Sequence, residues 1–272
     1  MARLRGLAAR IPTEDDSEPL RKTRRLPRVH HYDVVVPGLD PAHDGLKIAH
    51  LTDLHVGMLT PHGKIRGALE LAEEWRPDVM LLTGDFVCYS PKFVGKLGEI
   101  TKNLHTPVYA VLGNHDYWTD GEGVRLALEK NGVAVLRNGH SEIRPRHAPL
   151  TLVGIDDVIT GHADTHRAFR GVRKRGSRIV LTHAPNMADR AAAEGAGLIL
   201  AGHTHGGHVH IPKVTDNIAR RMGARYLKGW YPVGGSLLYV NCGIGSSSIP
   251  IRAGAPSEVA LFTLRAPKAD FR

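Results

Sequence analysis

The sequence predicts a layered α/β fold, and three observations carry the prediction. From about residue 30, short apolar runs bounded by turn formers alternate with amphipathic helical patterns. Those runs are rich in leucine or β-branched residues and too short to be helices. At 272 residues the chain can bury a full core, and no apolar run reaches the length of a membrane span.

In chain order, "LKIAHL" (46–51) reads as the first strand. "KIRGALELAEEW" (64–75) follows as a helix, with Ile65, Ala68, Leu69, Ala72 and Trp75 on one face. "DVMLLT" (78–83) and "VYAVLG" (108–113) are the next strands, and "GEGVRLALEKNG" (121–132) is a helix stopped by Asn-Gly. "LTLVGI" (150–155), "RIVLT" (178–182) and "GLILAG" (197–202) continue the strand series. "SLLYVN" (236–241) and "EVALFTL" (258–264) are joined by a Gly, Ser and Pro-rich loop, which predicts antiparallel strands completing a second sheet. Residues 29–265 are expected to form one domain, between a basic tail at 1–28 and a short C-terminal tail at 266–272.

The net charge of +9 favours anionic partners. Part of it is terminal: residues 1–28 hold eight Arg or Lys against four Asp or Glu. The N-terminus lacks the uninterrupted apolar stretch of a secretory signal, and two cysteines cannot make a disulfide framework. A cytoplasmic chain is expected on these grounds. Nucleic-acid modules and internal repeats are missing, so nucleic acid is not an expected partner.

The strands share a further property: the best of them run into polar signatures. The first ends in Asp53 and His55, the next in Asp85, and the third in Asn114, His115 and Asp116. Later strands lead to His183 and to "GHTHGGHVH", with His203 and His205. Ligands bind at the carboxyl ends of strands in α/β sheets, so these groups should meet in one crevice. Residues two apart in extended chain face the same way, which suits both the Asp53–His55 and the His203–His205 pairs. Asp53, His55, Asp85, Asn114, His183, His203 and His205 are too many ligands for one tetrahedral ion, and suit two ions sharing a carboxylate. A mixed nitrogen and oxygen set favours Mn²⁺, Fe or Zn²⁺ over Mg²⁺. Such ion pairs hydrolyse phosphate esters.

The ordered motifs "DLH", "GD", "GNHD", "TH" and "GHTHGG" resemble those of the calcineurin-like metallophosphoesterases, in particular a bacterial phosphodiesterase branch of the YaeI and YkuE type. The resemblance spans about residues 46–264 and implies a four-layer α/β/β/α sandwich. It assigns Asp53, His55 and His205 to one ion, and Asn114, His183 and His203 to a second, with Asp85 bridging. His115 is then not a ligand but a group that stabilises or protonates the leaving oxygen, with Asp116 helping to orient it. The cofactor expectation is two divalent ions, Mn²⁺ first and Fe or Zn²⁺ as alternatives. Asp156 and Asp157 of "GIDD" are expected in a turn or behind the ligands, and His50 in the core.

The substrate is expected to be an anionic phosphoester, lipid-linked or a nucleotide. The resemblance adds a UDP-2,3-diacylglucosamine pyrophosphatase as an alternative, and a non-catalytic protein-binding scaffold as an alternative of another class. Residues 212–233 mix cations with apolar side chains and should line the crevice mouth. His208, Arg220, Arg221, Arg225 and Trp230 are the expected rim. The same rim and the basic tail suggest peripheral contact with acidic lipid at the inner face of a membrane.

Overall fold

The computed structural model describes residues 26–173, 176–207, 210–211, 213–221, 223–247 and 252–268. Most of the basic tail and the last residues of the C-terminal tail therefore lie outside the described residues.

Two six-stranded sheets form the frame. The strands are β1 (Arg28–Val35), β2 (Lys47–Leu51), β3 (Val79–Thr83), β4 (Val108–Val111), β5 (Ala134–Val135), β6 (Gly139–Ile143), β7 (Leu150–Ile155), β8 (Ser177–Thr182), β9 (Leu198–Ala201), β10 (Gly229–Val233), β11 (Ser236–Val240) and β12 (Glu258–Arg265). The first sheet runs β1-β12-β2-β3-β4-β5 and the second β10-β11-β9-β8-β7-β6. β2 to β5 pair in parallel, as do β7, β8, β9 and β11. Parallel strands buried on both faces need continuous apolar runs, and β3 is buried at every position.

The helices are α1 (His62–Glu74), α2 (Val94–Thr101), α3 (Asn114–Glu129), α4 (Thr165–Phe169), α5 (Ala188–Ala193) and α6 (Val214–Arg221). Three apolar clusters separate the layers. Ile65, Leu69, Leu97 and Leu128 of α1 to α3 pack on Leu51, Met80 and Leu82 of the first sheet. Ile48, Leu81, Ile179, Leu200 and Phe262 fill the space between the sheets. Ala188 and Ala191 of α5 cover Val180, Ile199 and Leu238 on the far face of the second sheet. The result is the expected α/β/β/α sandwich, with the carboxyl ends of both parallel runs at one edge.

Two expectations change. β11 and β12 do not pair with each other: β11 joins β9 in the second sheet, while β12 inserts between β1 and β2 of the first. The connecting loop crosses between sheets, which a local reading of a Gly-rich linker cannot reveal. The helix expected at 121–132 begins instead at Asn114, with a kink at Asp120. No helix of the described residues is long and apolar enough to cross a membrane.

His50 sits in this core as expected, between Phe262 and Tyr239, its Nε2 2.9 Å from Thr83 Oγ1. Burial lowers its pKa from 6.5 to about 3. The native imidazole thus stays neutral where the unfolded one is protonated. Its stabilising contribution is whole above pH 6.5 and is lost as pH falls toward 3. At pH 5 the loss should be about 2 kcal/mol. Denaturant titrations at pH 7 and pH 5 should show a smaller acid-dependent decline for His50→Leu than for the parent chain. An equal decline in both would remove His50 from the account.

Candidate metal centre

The expected ligand side chains reach their positions through strained turns. Asp53, His55, Asp85, His203 and His205 all have positive φ, between 45° and 71°. Non-glycine residues held there cost about 1–3 kcal/mol each, and such strain gathers at functional sites. Neighbouring glycines permit the close approach. A Cβ on Gly113 would lie 2.3 Å from Asp85 Oδ1, and one on Gly202 would lie 2.4 Å from Asp53 Oδ2.

Two groups result. Asp53, His55 and His205 form one, and Asp85, His183 and His203 the other; within each, one ligand atom per residue lies within 4.8 Å of the rest. His55 Nε2 is 3.0 Å from His205 Nε2, and His205 Nε2 is 3.4 Å from Asp53 Oδ1. In the second group, His183 Nε2 is 3.3 Å from both Asp85 Oδ2 and His203 Nδ1. Ligand atoms about 2.0–2.1 Å from one ion sit at such separations from each other. Asp85 Oδ2 is also 3.6 Å from His55 Nε2, so this carboxylate touches both groups.

The polar atoms fit an ion. Asp53 Oδ1 and Asn114 Oδ1 are buried without a hydrogen-bond partner. Buried polar atoms are rarely left unpaired unless something else is meant to meet them. His183 Nδ1 lies 2.7 Å from the Thr83 carbonyl, an acceptor that fixes the proton there and leaves Nε2 free to coordinate.

Electrostatics agree. Burial alone would raise the Asp85 pKa, yet His183, His55 and His115 hold it below the carboxylate range. Burial would lower His183, but Asp85 and Asp53 drive it up to about 10. The pair is thus an ion pair that an incoming cation would break, releasing the His183 proton. Burial takes Asp53 up to about 6, His55 down to about 3 and His203 down to about 4.

His115 is partly exposed at the centre's edge, its ring centroid 4.9 Å from that of His55. Its backbone N–H donates to Asp85 Oδ1 at 2.9 Å. Asp116 is expected to help orient His115, and its contacts are with backbone. Its carboxylate accepts from the backbone N–H groups of Phe86, Val87 and Gly113 at 2.8, 3.0 and 2.9 Å. It caps α3 and ties the loops after β3 and β4 together, so it supports His115 through the first turn of the helix and not by a bond to the ring. Burial, then the nearby Asp85 charge, push its pKa up to about 8.

The other expected residues divide. Asp156 accepts from Tyr117 Oη at 2.6 Å and Arg137 Nε at 3.2 Å, while Asp157 accepts from Thr160; neither joins a ligand group. His208 lies outside the described residues, as does the Arg220 side chain. Arg221 is exposed at the end of α6. Arg225 is held by Asp189 and lies over Tyr226. Trp230 is not a rim residue: its ring packs on Tyr32, Tyr239 and Phe262 between the sheets. It belongs to a β-strand whose inward face is apolar, and the rim expectation for it is corrected.

Arg252 was not anticipated. It donates to the Cys242 carbonyl at 2.6 Å and lies 2.9 Å from His205 Nδ1, bracing that ligand from behind. No local motif marks it. Trp118 and Tyr89, beside His115, also went unnoticed, although Trp118 lies three residues after His115 on the same helix face.

Residues 46–207 match the family model of the calcineurin-like phosphoesterases. Over 228 residues the chain is 31% identical to the uncharacterized metallophosphoesterase YkoQ of Bacillus subtilis, covering 80% of this chain and 83% of that protein. To the uncharacterized metallophosphoesterase YkuE of the same organism it is 28% identical, covering 82% and 80%. To phosphodiesterase YaeI of Escherichia coli it is 31% identical over 224 residues, covering 80% and 82%.

Proposed function

The chain belongs to the calcineurin-like phosphoesterase family and is a phosphoric ester hydrolase, and from that premise we propose that it cleaves phosphodiester or pyrophosphate bonds at a dinuclear centre. Asp53, His55 and His205 would hold one divalent ion and Asn114, His183 and His203 the other, with Asp85 shared between them. Mn²⁺ fits this donor set first, with Fe or Zn²⁺ as alternatives. The ions, when bound, supply positive charge against the phosphoryl oxygens and acidify a water toward neutral pH. The observation that carries the reading is the meeting of both ligand groups at one carboxylate, with Asp53 Oδ1 and Asn114 Oδ1 buried without a hydrogen-bond partner.

The chain's own residues complete the site. Asp116 and the Asp85–His115 backbone contact fix the first turn of α3, so the His115 imidazole stands at the opening beside His55. As water oxygen bonds to phosphorus and the P–O bond to the leaving group breaks, His115 gives its proton to the departing oxygen. Burial lowers the His115 pKa, against the opposing charge of Asp85 and with a smaller push from His183, so the protonated ring gives up its proton more readily. The complete ligand set with His115 favours catalysis over a scaffold role.

Purified, metal-loaded protein should be assayed on an aryl phosphodiester, a phosphomonoester, cyclic nucleotides and UDP-diacylglucosamine. Turnover of a diester or pyrophosphate in preference to the monoester supports the reading. Turnover of none of them would return the chain to the scaffold alternative.

Ile211, Val214 and Ile218 are more than half exposed along and before α6. This apolar ridge beside cations supports a second element of the reading: weak contact with acidic lipid, consistent with a lipid-linked substrate. Co-sedimentation with vesicles should rise with acidic lipid, fall with salt, and drop when Val214 and Ile218 become Ser. Equal binding to neutral vesicles, or none, removes the membrane element.

A further inference from the structure

Exposed aromatic side chains are few among the described residues: Trp118 at 63% and Tyr89 at 55%. Both lie against His115. The Trp118 ring centroid is 5.0 Å from that of His115 at 71°, and the Tyr89 centroid is 6.1 Å away at 79°. On its other side His115 meets His55 at 4.9 Å and 90°. The imidazole therefore stands between the metal ligands and two ring walls.

Those walls are held in place. Trp118 follows His115 by three residues on α3, so the two project from one helix face. Tyr89 adopts a φ of 68°, a costly conformation for an aromatic residue, and its hydroxyl donates to the Ser247 carbonyl. A hydrophobic ring kept in water by a strained backbone and a tethered hydroxyl needs a reason outside the fold. Met58 extends the same edge, since Val56 bridges to Val87, but it offers no ring. The exposed aliphatic group Ile211, Val214 and Ile218 belongs to the segment after β9 instead.

We infer that Tyr89 and Trp118 form a leaving-group subsite that selects a planar aromatic ring, an aryl group or a nucleobase, on the departing side of the phosphoester. The inference rests on the phosphoesterase reading, in which the leaving oxygen sits at His115. A group attached to that oxygen then lies on the side of His115 where the two rings stand. A planar group stacks on a fixed ring face, whereas a flexible chain gains only buried area and loses rotational freedom on such a surface.

Phenylphosphonate and hexylphosphonate separate these occupants, because each presents the same anion to the centre. Binding to the metal-loaded chain is measured by calorimetry and by tryptophan emission. The phenyl compound should bind about tenfold more tightly, a step typical of one aromatic stacking contact, and should quench emission. Trp118→Ala should abolish both the preference and the quench, and Trp118→Phe should restore the preference. Equal or tighter binding of the hexyl compound, or a preference that survives Trp118→Ala, overturns the subsite and leaves the phosphoesterase reading standing. Failure of both phosphonates to bind would also overturn the subsite, while the phosphoesterase reading is tested separately by the turnover assay above.

Discussion

Replacing Asp85 with Ala is expected to lower turnover by more than about 10²-fold and to reduce metal content. Even partners that merely support a ligand cost about 10–100-fold when removed, and Asp85 lies closer to the chemistry than any of these. Its Oδ2 is 3.3 Å from His183 Nε2 and 3.6 Å from His55 Nε2, and its Oδ1 accepts the His115 N–H. The substitution therefore removes the contact shared by the two ligand groups and loosens the turn that presents His115. It also leaves His183 without the carboxylate that raises its pKa. Asp85→Asn keeps the shape and loses the charge, so it should fold as well as the parent chain while binding metal weakly. Full metal content and full activity in both variants would show that Asp85 does not bridge.

His115→Ala should behave differently. Metal content should stay near that of the parent chain, because neither ligand group includes this imidazole. Turnover should fall by roughly 10²–10⁴-fold, the usual size of general acid–base assistance. The loss should shrink for nitrophenyl esters, whose leaving oxygen needs little protonation, and be largest for alkyl leaving groups. An identical loss across leaving groups would assign His115 to charge stabilisation rather than proton transfer. Loss of a metal ion would make it a ligand.

How far the sequence could be read depended on where each residue's partners lie. β2, β3, β4, β7, β8 and β9 are parallel and buried, so each had to be an apolar run between turn formers. β1, "RVHHYDVV", is an edge strand with a mostly half-exposed pattern, and nothing in its own composition marks it. The placement of β12 between β1 and β2 depends on pairing across more than 200 residues. The six residues of the two candidate groups were legible because each ends or follows a strand, and fold topology does the rest of the gathering.

Asp116 supports His115 through the backbone for a local reason. Neighbouring positions on a helix point about 100° apart, so a residue adjacent to His115 cannot share its direction once α3 starts at Asn114. The Asp116 side chain instead turns back to cap that helix. Trp230 was misread because an aromatic residue beside cations looks the same in sequence whether it faces water or Phe262.

The central claim is that two ions share one site. The direct measurement is metal content per chain, by elemental analysis of protein purified without chelator and dialysed against buffer with trace Mn²⁺. Two ions per chain, both lost together with activity on chelation and regained together, is the predicted result. One ion per chain at full activity, unchanged in Asp85→Ala, would contradict it.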